Sequence, residues 1–329
     1  MSSAEHGWEL LVEISEQDGL VIALVDPYEA ETNAWEESDT PVDVARLAGS
    51  ENLDEATLTH MGFVTRPKWV NWVAPLQSSE EEYLSALSGT ERRNIRLGRR
   101  FIQEEKLRVD VRVGITEPLI DEFLVLYDAQ VAGMPRGKNI AREWRARLLA
   151  ASSEYACVGV YSGAAMVAGS LWWIRHEESL LQLRFSAASA NARLSRVMRA
   201  TYVKAFQFAR EAGLTFASLG NDPSLFGHIV QPGLFNFKSR LGFTVIPSQV
   251  FGPNLAGEFA DRFLRLRSLS DPSLVVTWGR HRGASPSWPA VTAGPGHDLI
   301  LLSGTPDMEL GSTYRTDGFR ESRLLTVPE

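Results

Sequence analysis

The residues of this 329-residue chain whose types and spacing can do chemistry gather between positions 184 and 243. The apolar run Phe216–Leu219 reads as a buried strand, and Gly220-Asn221-Asp222-Pro223 breaks the chain at its end. A carboxylate there, Asp222, can orient or deprotonate an ammonium, and Asn221 can hydrogen-bond a carbonyl or amide group. An Asp before Pro is also an ordinary turn former, so the pair has a purely structural reading too. His228 stands on the adjacent loop Leu225-Phe226-Gly227-His228; the unperturbed range of a histidine suits a general base, although a lone loop histidine is more often passive. Lys238, in Phe237-Lys238-Ser239-Arg240-Leu241-Gly242-Phe243, would lower a barrier if it faced developing negative charge in a dry cleft. The bland alternative is the polar face of an amphipathic helix. Tyr202 and Arg184 are further polar candidates.

A second group is suited to anions. Ser186-Ala187-Ala188-Ser189-Ala190-Asn191-Ala192-Arg193-Leu194-Ser195-Arg196 leads from a strand into a long helix, expected over Arg193 to Ala212. Backbone N–H groups and the helix dipole favour an anion at such a start. Ser189, Ser195, Arg193, Arg196 and Arg199 could therefore meet a phosphate, or the arginines could simply solvate one helix face. Arg92, Arg93, Arg96, Arg99 and Arg100 lie on an expected basic helix, and Arg136, Lys138, Arg142, Arg145 and Arg147 follow. Phosphate contacts need cations but no particular spacing. The charge is unevenly spread. Residues 1–89 carry 18 acids and 3 bases, residues 90–210 carry 12 acids and 20 bases, and the whole chain has a net charge of −8. The middle third can attract an anion although the protein is acidic.

Several classes lose support. The single cysteine, Cys157, sits in an apolar run, which excludes an intramolecular disulfide and a cysteine-based metal cluster. No metal site is expected. There is no Walker loop, no dinucleotide-binding glycine fingerprint after a strand, no zinc-protease helix and no serine-hydrolase elbow. The apolar run Leu20–Val25 is too short to span a bilayer and the N-terminus does not resemble a signal peptide, so a cytoplasmic protein with neither membrane nor DNA as partner is expected.

The elements that must position these residues follow from periodicity and turn chemistry. Trp8 to Val25 suits two short strands around Glu16-Gln17-Asp18-Gly19, Asp26 to Asp43 reads as loop, and Lys68 to Val73 as a strand. Ser78 to Glu81 starts a helix, Ser88 to Arg100 continues as the basic helix, and Leu107 to Val113 is a strand. Pro118 opens a helix to about Val131, and Ala141 to Ala150 forms another. Strands are expected at Ala156–Tyr161, Met166–Arg175, Leu180–Ala187 and Phe216–Leu219, with Gly213 stopping the long helix between the last two. Beyond Pro247, Ala256 to Leu269 reads as a helix, and Ser273–Trp278 and Leu299–Ser303 as strands.

The order of these pieces from about Ser88 to Pro247 resembles the GNAT acyltransferase fold, and within it the Fem-type aminoacyltransferases and related acetyltransferase domains. The features that carry the resemblance are Arg92-Arg93-Asn94-Ile95-Arg96 before a strand and a helix with Asp121-Glu122-Phe123…Leu126-Tyr127, the hairpin Gly163…Val167-Ala168-Gly169, and Gly213…Leu219-Gly220 followed by Phe237-Lys238. It implies an α/β (α+β) protein with a mixed central sheet and flanking helices. It also implies an acidic subdomain over 1–87, a reduced second GNAT-like half in that family's terms, then a core over 88–250 and an extension over 251–329. The implied activity is formation of an amide from an activated acyl group and an amine; the long extensions around the core, outside the family pattern, suit a dedicated pocket for a small-molecule acceptor in a specialised biosynthetic route. No tightly bound cofactor is implied. Acyl-CoA or an acyl carrier protein thioester would be co-substrate, and an aminoacyl-tRNA donor or a non-catalytic binding module are the alternatives. Two positions depart from the common GNAT pattern. The turn before the long helix lacks glycine, and Lys238 stands four residues before Gly242, where many members carry tyrosine. Fem-type members pair Phe and Lys there, which implies that Lys238 stabilises the oxyanion beside a donor pocket lined by Phe237.

Overall fold

The computed structural model describes residues 12–134, 137–283, 287–308 and 313–328. Trp8 and Arg136 lie outside the described residues. In chain order the strands are β1 (Glu13–Gln17), β2 (Leu20–Val25), β3 (Val44–Leu47), β4 (Val64–Pro67), β5 (Trp69–Pro75), β6 (Arg108–Val113), β7 (Tyr155–Ser162), β8 (Ala165–Arg175), β9 (Leu180–Ala188), β10 (Phe216–Pro223), β11 (Leu225–Phe226), β12 (Thr244–Pro247), β13 (Glu258–Phe263), β14 (Ser273–Thr277), β15 (Asp298–Ser303) and β16 (Ser322–Thr326).

They form three sheets. The central one has seven strands in the order β12-β5-β10-β9-β8-β7-β6. All neighbours in it run antiparallel except β9 and β10. A parallel pair needs a crossover, and the helix Val197–Glu211 supplies it. Phe206 on this helix meets Trp172 of β8 edge-on at 5.9 Å and Tyr83 at 5.5 Å. A residue with a left-handed backbone follows the helix at Gly213 (φ 76°), the conformation glycine adopts without strain. The helix Glu117–Ala132 belongs to a second cluster, burying Leu119, Ile120, Phe123 and Leu124 with Leu171 and Phe185. The mixed sheet with flanking helices is therefore as expected.

The other two sheets run β1-β2-β3-β13-β4 and β11-β14-β15-β16. Sheet membership crosses the divisions at 87 and 250. β5 lies inside the central sheet between β12 and β10, and β13 lies inside the first sheet between β3 and β4.

Three elements differ from expectation. Residues 256–269 hold the strand β13 rather than a helix, because cross-strand partners override local periodicity: Asp261 lies opposite Arg46, and Phe259 opposite Arg66. The stretch 26–43 is not all loop. Asp26 caps the helix Pro27–Thr32 in a reciprocal box with Glu29, and Pro27 occupies its first turn. The long helix is split: Ala190–Leu194 and Val197–Glu211 are separated at Arg196, whose φ is 62°.

Candidate active site

β9 and β10 are paired only across Leu180–Gln182 and Phe216–Ser218. Beyond that point residues 183–186 and 219–222 line the two sides of a cleft of about 540 Å³. Two irregularities set its shape. On β10 the register against β5 shifts between Ser218 and Asn221. On β9 Trp172 lies opposite Leu183 and Leu171 opposite Phe185, so Arg184 has no opposite number. Such bulges re-aim side chains and end pairing. Gly220 makes the first one feasible: its φ is 81°, and a Cβ there would stand 3.0 Å from the Leu183 carbonyl oxygen.

Asp222 and Lys238 meet in this cleft. Lys238 projects from the helix Pro232–Arg240, started by its proline, and its Nζ donates to Asp222 Oδ2 at 2.7 Å. Trp72 Nε1 donates to the same oxygen at 2.9 Å. Both ionic residues are buried, Lys238 at 5% and Asp222 at 5% exposure. A charge so far from water persists only when paired and hydrogen-bonded. Both donors converge on Oδ2, and Oδ1 accepts no hydrogen bond among the described residues. Lys238 is thus no surface residue on a solvated helix face.

The remaining candidates fall into groups. Asn221 lines the cleft, but its side-chain oxygen already accepts from Asn71 and, at 3.2 Å, from Ser248 Oγ. Phe237 forms cleft wall, with the Tyr202 ring 5.8 Å away. Tyr202 donates to Ser186 Oγ at 2.9 Å, and burial pushes its phenol up to about 12, so it holds its proton at neutral pH. His228 is not brought to this cleft. It lines two other cavities, and its Nε2 lies 3.2 Å from the Asp18 carbonyl oxygen. Cys157 is buried, and desolvation raises its thiol to about 12, the inert core residue its apolar context suggested.

At the expected donor end, Ser189 caps the helix Ala190–Leu194 by accepting from Ala192 N at 3.3 Å, and Ser195 ends it. Arg193 is exposed. Arg196 Nε donates to Asn94 Oδ1 at 2.9 Å, and Arg199 pairs with the fully buried Glu91 while its guanidinium stacks 4.9 Å over Phe237. These two arginines tie the helix break to the basic helix Gly89–Glu104, whose Gly98 leaves no room for a Cβ against the Arg196 carbonyl oxygen. On the basic helix Arg92 donates to the carbonyls of Ser85 and Leu87, Arg99 pairs with Glu80 at 2.6 Å, and Arg100 lies 3.6 Å from Glu104. Arg93 and Arg96 are exposed. Arg142 and Arg145 pair with Asp128 and Asp121, and Lys138 lies 3.6 Å from Asp18.

Sequence reasoning missed Trp72 and Glu91 as partners of the site. Trp72 had a signal: in β5 the period of two puts it with Val70 on the face opposite Asn71. Glu91 had none, because a lone glutamate in a run of arginines reads as a solvated charge.

No family model matches the chain, and no curated protein matches it. Solved structures similar to it include FemX (TM-score 0.41, 13% identity, covering 74% of this chain and 81% of that one). L-PGS from Bacillus licheniformis gives a TM-score of 0.38 at 13% identity over 77% and 80%, and a tandem GNAT protein from the clavulanic acid biosynthesis pathway gives 0.33 at 10% over 76% and 77%. No described helix is long and apolar enough to cross a membrane. The strand order of the central sheet, its single parallel pair and the cleft that opens between those two strands make the fold GNAT-like.

Proposed function

We propose that the chain is an N-acyltransferase that makes an amide by direct attack of an amine on an activated acyl carbonyl. The observation that carries this reading is the buried Lys238–Asp222 pair on the wall of the cleft between β9 and β10. An acceptor arriving as an ammonium gives one proton to Asp222. Its lone pair attacks the acyl carbon, the C–N bond forms, and the second N–H proton leaves with the thiolate as the C–S bond breaks. Negative charge builds on the carbonyl oxygen in between, and the Lys238 ammonium is assigned to meet it. Trp72 and Lys238 keep Asp222 Oδ2 occupied, which directs the acceptor to Oδ1.

The donor in this reading is a thioester on CoA or on an acyl carrier protein. Arg193 beside the helix break, and Arg93 and Arg96 on the adjoining helix, are exposed and offer charge to a phosphate or an acidic carrier. The test is incubation of the purified chain with acyl-CoA, acyl carrier protein thioesters and aminoacyl-tRNA in separate reactions, each with an amine mixture, and mass spectrometry of the products. Amide from a thioester donor supports the proposal. Amide from aminoacyl-tRNA alone moves the donor to the Fem-like alternative, and amide from none of the three leaves a binding module.

A further inference from the structure

One cation of the cleft has no counterion. Arg184 lines the same cleft as Asp222 and Lys238 and projects from the bulge in β9. No carboxylate lies within ion-pair distance of it among the described residues, and its Nε is buried with no hydrogen-bond partner. Aromatic faces hold it in place. Its guanidinium lies 4.5 Å from the Trp144 ring centroid and 5.8 Å from that of Trp173. Trp144 carries Arg147 at 4.5 Å and Trp173 carries Arg175 at 4.6 Å. Arg175 is paired with Glu178, and Trp173 Nε1 donates to Glu154 Oε2 at 3.0 Å, so the carboxylates that meet these neighbouring groups are engaged. An arginine fixed between rings loses little freedom on binding and offers its remaining N–H groups as a planar fork, the geometry that matches a carboxylate. Lys238 and Asp222 neutralise each other, so Arg184 is the uncompensated charge of the cleft.

We propose that Arg184 receives the carboxylate of the acceptor, so that the acceptor is an amino acid whose amine faces Asp222 while its carboxylate faces Arg184. This rests on the acyltransferase reading and narrows its substrate class. The carboxylate of such an acceptor meets the one uncompensated cation of the cleft and its amine meets the free Oδ1 of Asp222, which lines the same cleft; a plain amine or a neutral amide leaves Arg184 without an anion.

The experiment compares amino acids with their methyl esters and with their decarboxylated amines as acceptors, using the wild type first. The expected result is a preference for the free carboxylate of about 10- to 100-fold in kcat/KM, carried mainly by KM, the factor a charge-assisted hydrogen bond supplies. Arg184→Met should collapse that ratio and Arg184→Lys restore part of it. Arg147→Met, which removes the other cation against Trp144 but does not line the cleft, should keep it. Equal use of acids and esters by the wild type overturns the proposal, as does an undiminished preference in Arg184→Met. A carboxylate preference in the acyl group and none in the amine overturns the assignment to the acceptor. Calorimetric binding of the amino acids separates this inference from the activity. Arg184-dependent binding without transfer from any donor sinks the acyltransferase reading and keeps the receptor, whereas transfer without the preference sinks the receptor alone.

Discussion

At the scale of single residues the structure turns on one buried ion pair. Breaking such a pair from one side leaves a charge unpaired in a dry site and costs about 3–5 kcal/mol, whereas removing both charges costs much less. Lys238→Met and Asp222→Asn should each destabilise the fold, and the double variant should recover a large part of the loss. Denaturant unfolding of the four proteins in a double-mutant cycle measures this, and simple additivity would show that the pair is not coupled. A second residue gives a pH signature. His297 Nδ1 lies 2.6 Å from the Thr277 carbonyl oxygen, and complete burial pushes its pKa down to about 3 from 6.5, with the His281 ring 5.1 Å away adding to the fall and Asp298 opposing it. The folded state therefore resists a proton that the unfolded chain accepts. Its stabilising contribution is whole above pH 6.5 and drains away as pH falls toward 3, by about 1.4 kcal/mol per pH unit. His297→Gln should flatten unfolding free energy against pH over that window, and an unchanged slope would contradict it. Asp222 and Lys238 were legible as candidates because a strand-ending carboxylate and a helix lysine carry local signals. The indole of Trp72 converging on Asp222, and the bulge that aims Arg184, depend on register between strands and leave no mark in the local sequence.

At the scale of elements, two glycines permit close approaches, one at the cleft and one at the helix break. Gly220 sits at positive φ with the Leu183 carbonyl oxygen in the path of any side chain. Gly220→Ala should cost about 1–3 kcal/mol from backbone strain and should alter acceptor KM. Gly98 is a contact glycine: a Cβ would meet the Arg196 carbonyl oxygen at 2.5 Å, so Gly98→Ala must pry the basic helix from the helix break, at about 1–3 kcal/mol. A thermal transition unchanged in either variant would refute the corresponding argument. The run of elements from β6 to β10 was readable in order because each carries its own alternation, turn or glycine stop. The helix at 27–32 escaped notice only because its capping box sits in an acidic, proline-containing stretch that resembles loop.

At the scale of the whole molecule, the chain returns to sheets it has already left. Arg46 and Arg66 of the first sheet share Asp261, separated from them by 215 and 195 positions. Nothing in either local sequence announces that pairing, which is why β13 reads as helix and why β5 is not assigned by sequence to the central sheet. The consequence is testable. A chain ending at residue 250 loses β13, unpairs one edge each of β3 and β4, and strips β14 from β11, so it should fail to unfold cooperatively and should aggregate through its open edges. A sharp, reversible melt of that fragment would show that the sheets are independent. The proposed chemistry lies where β9 and β10 part, and its most direct test is the turnover of Asp222→Asn and Lys238→Met beside the wild type on the donor and amine that yield product. If the pair performs the transfer, both folded variants lose at least about 100-fold in kcat, and product formation at the wild-type rate by either would contradict it.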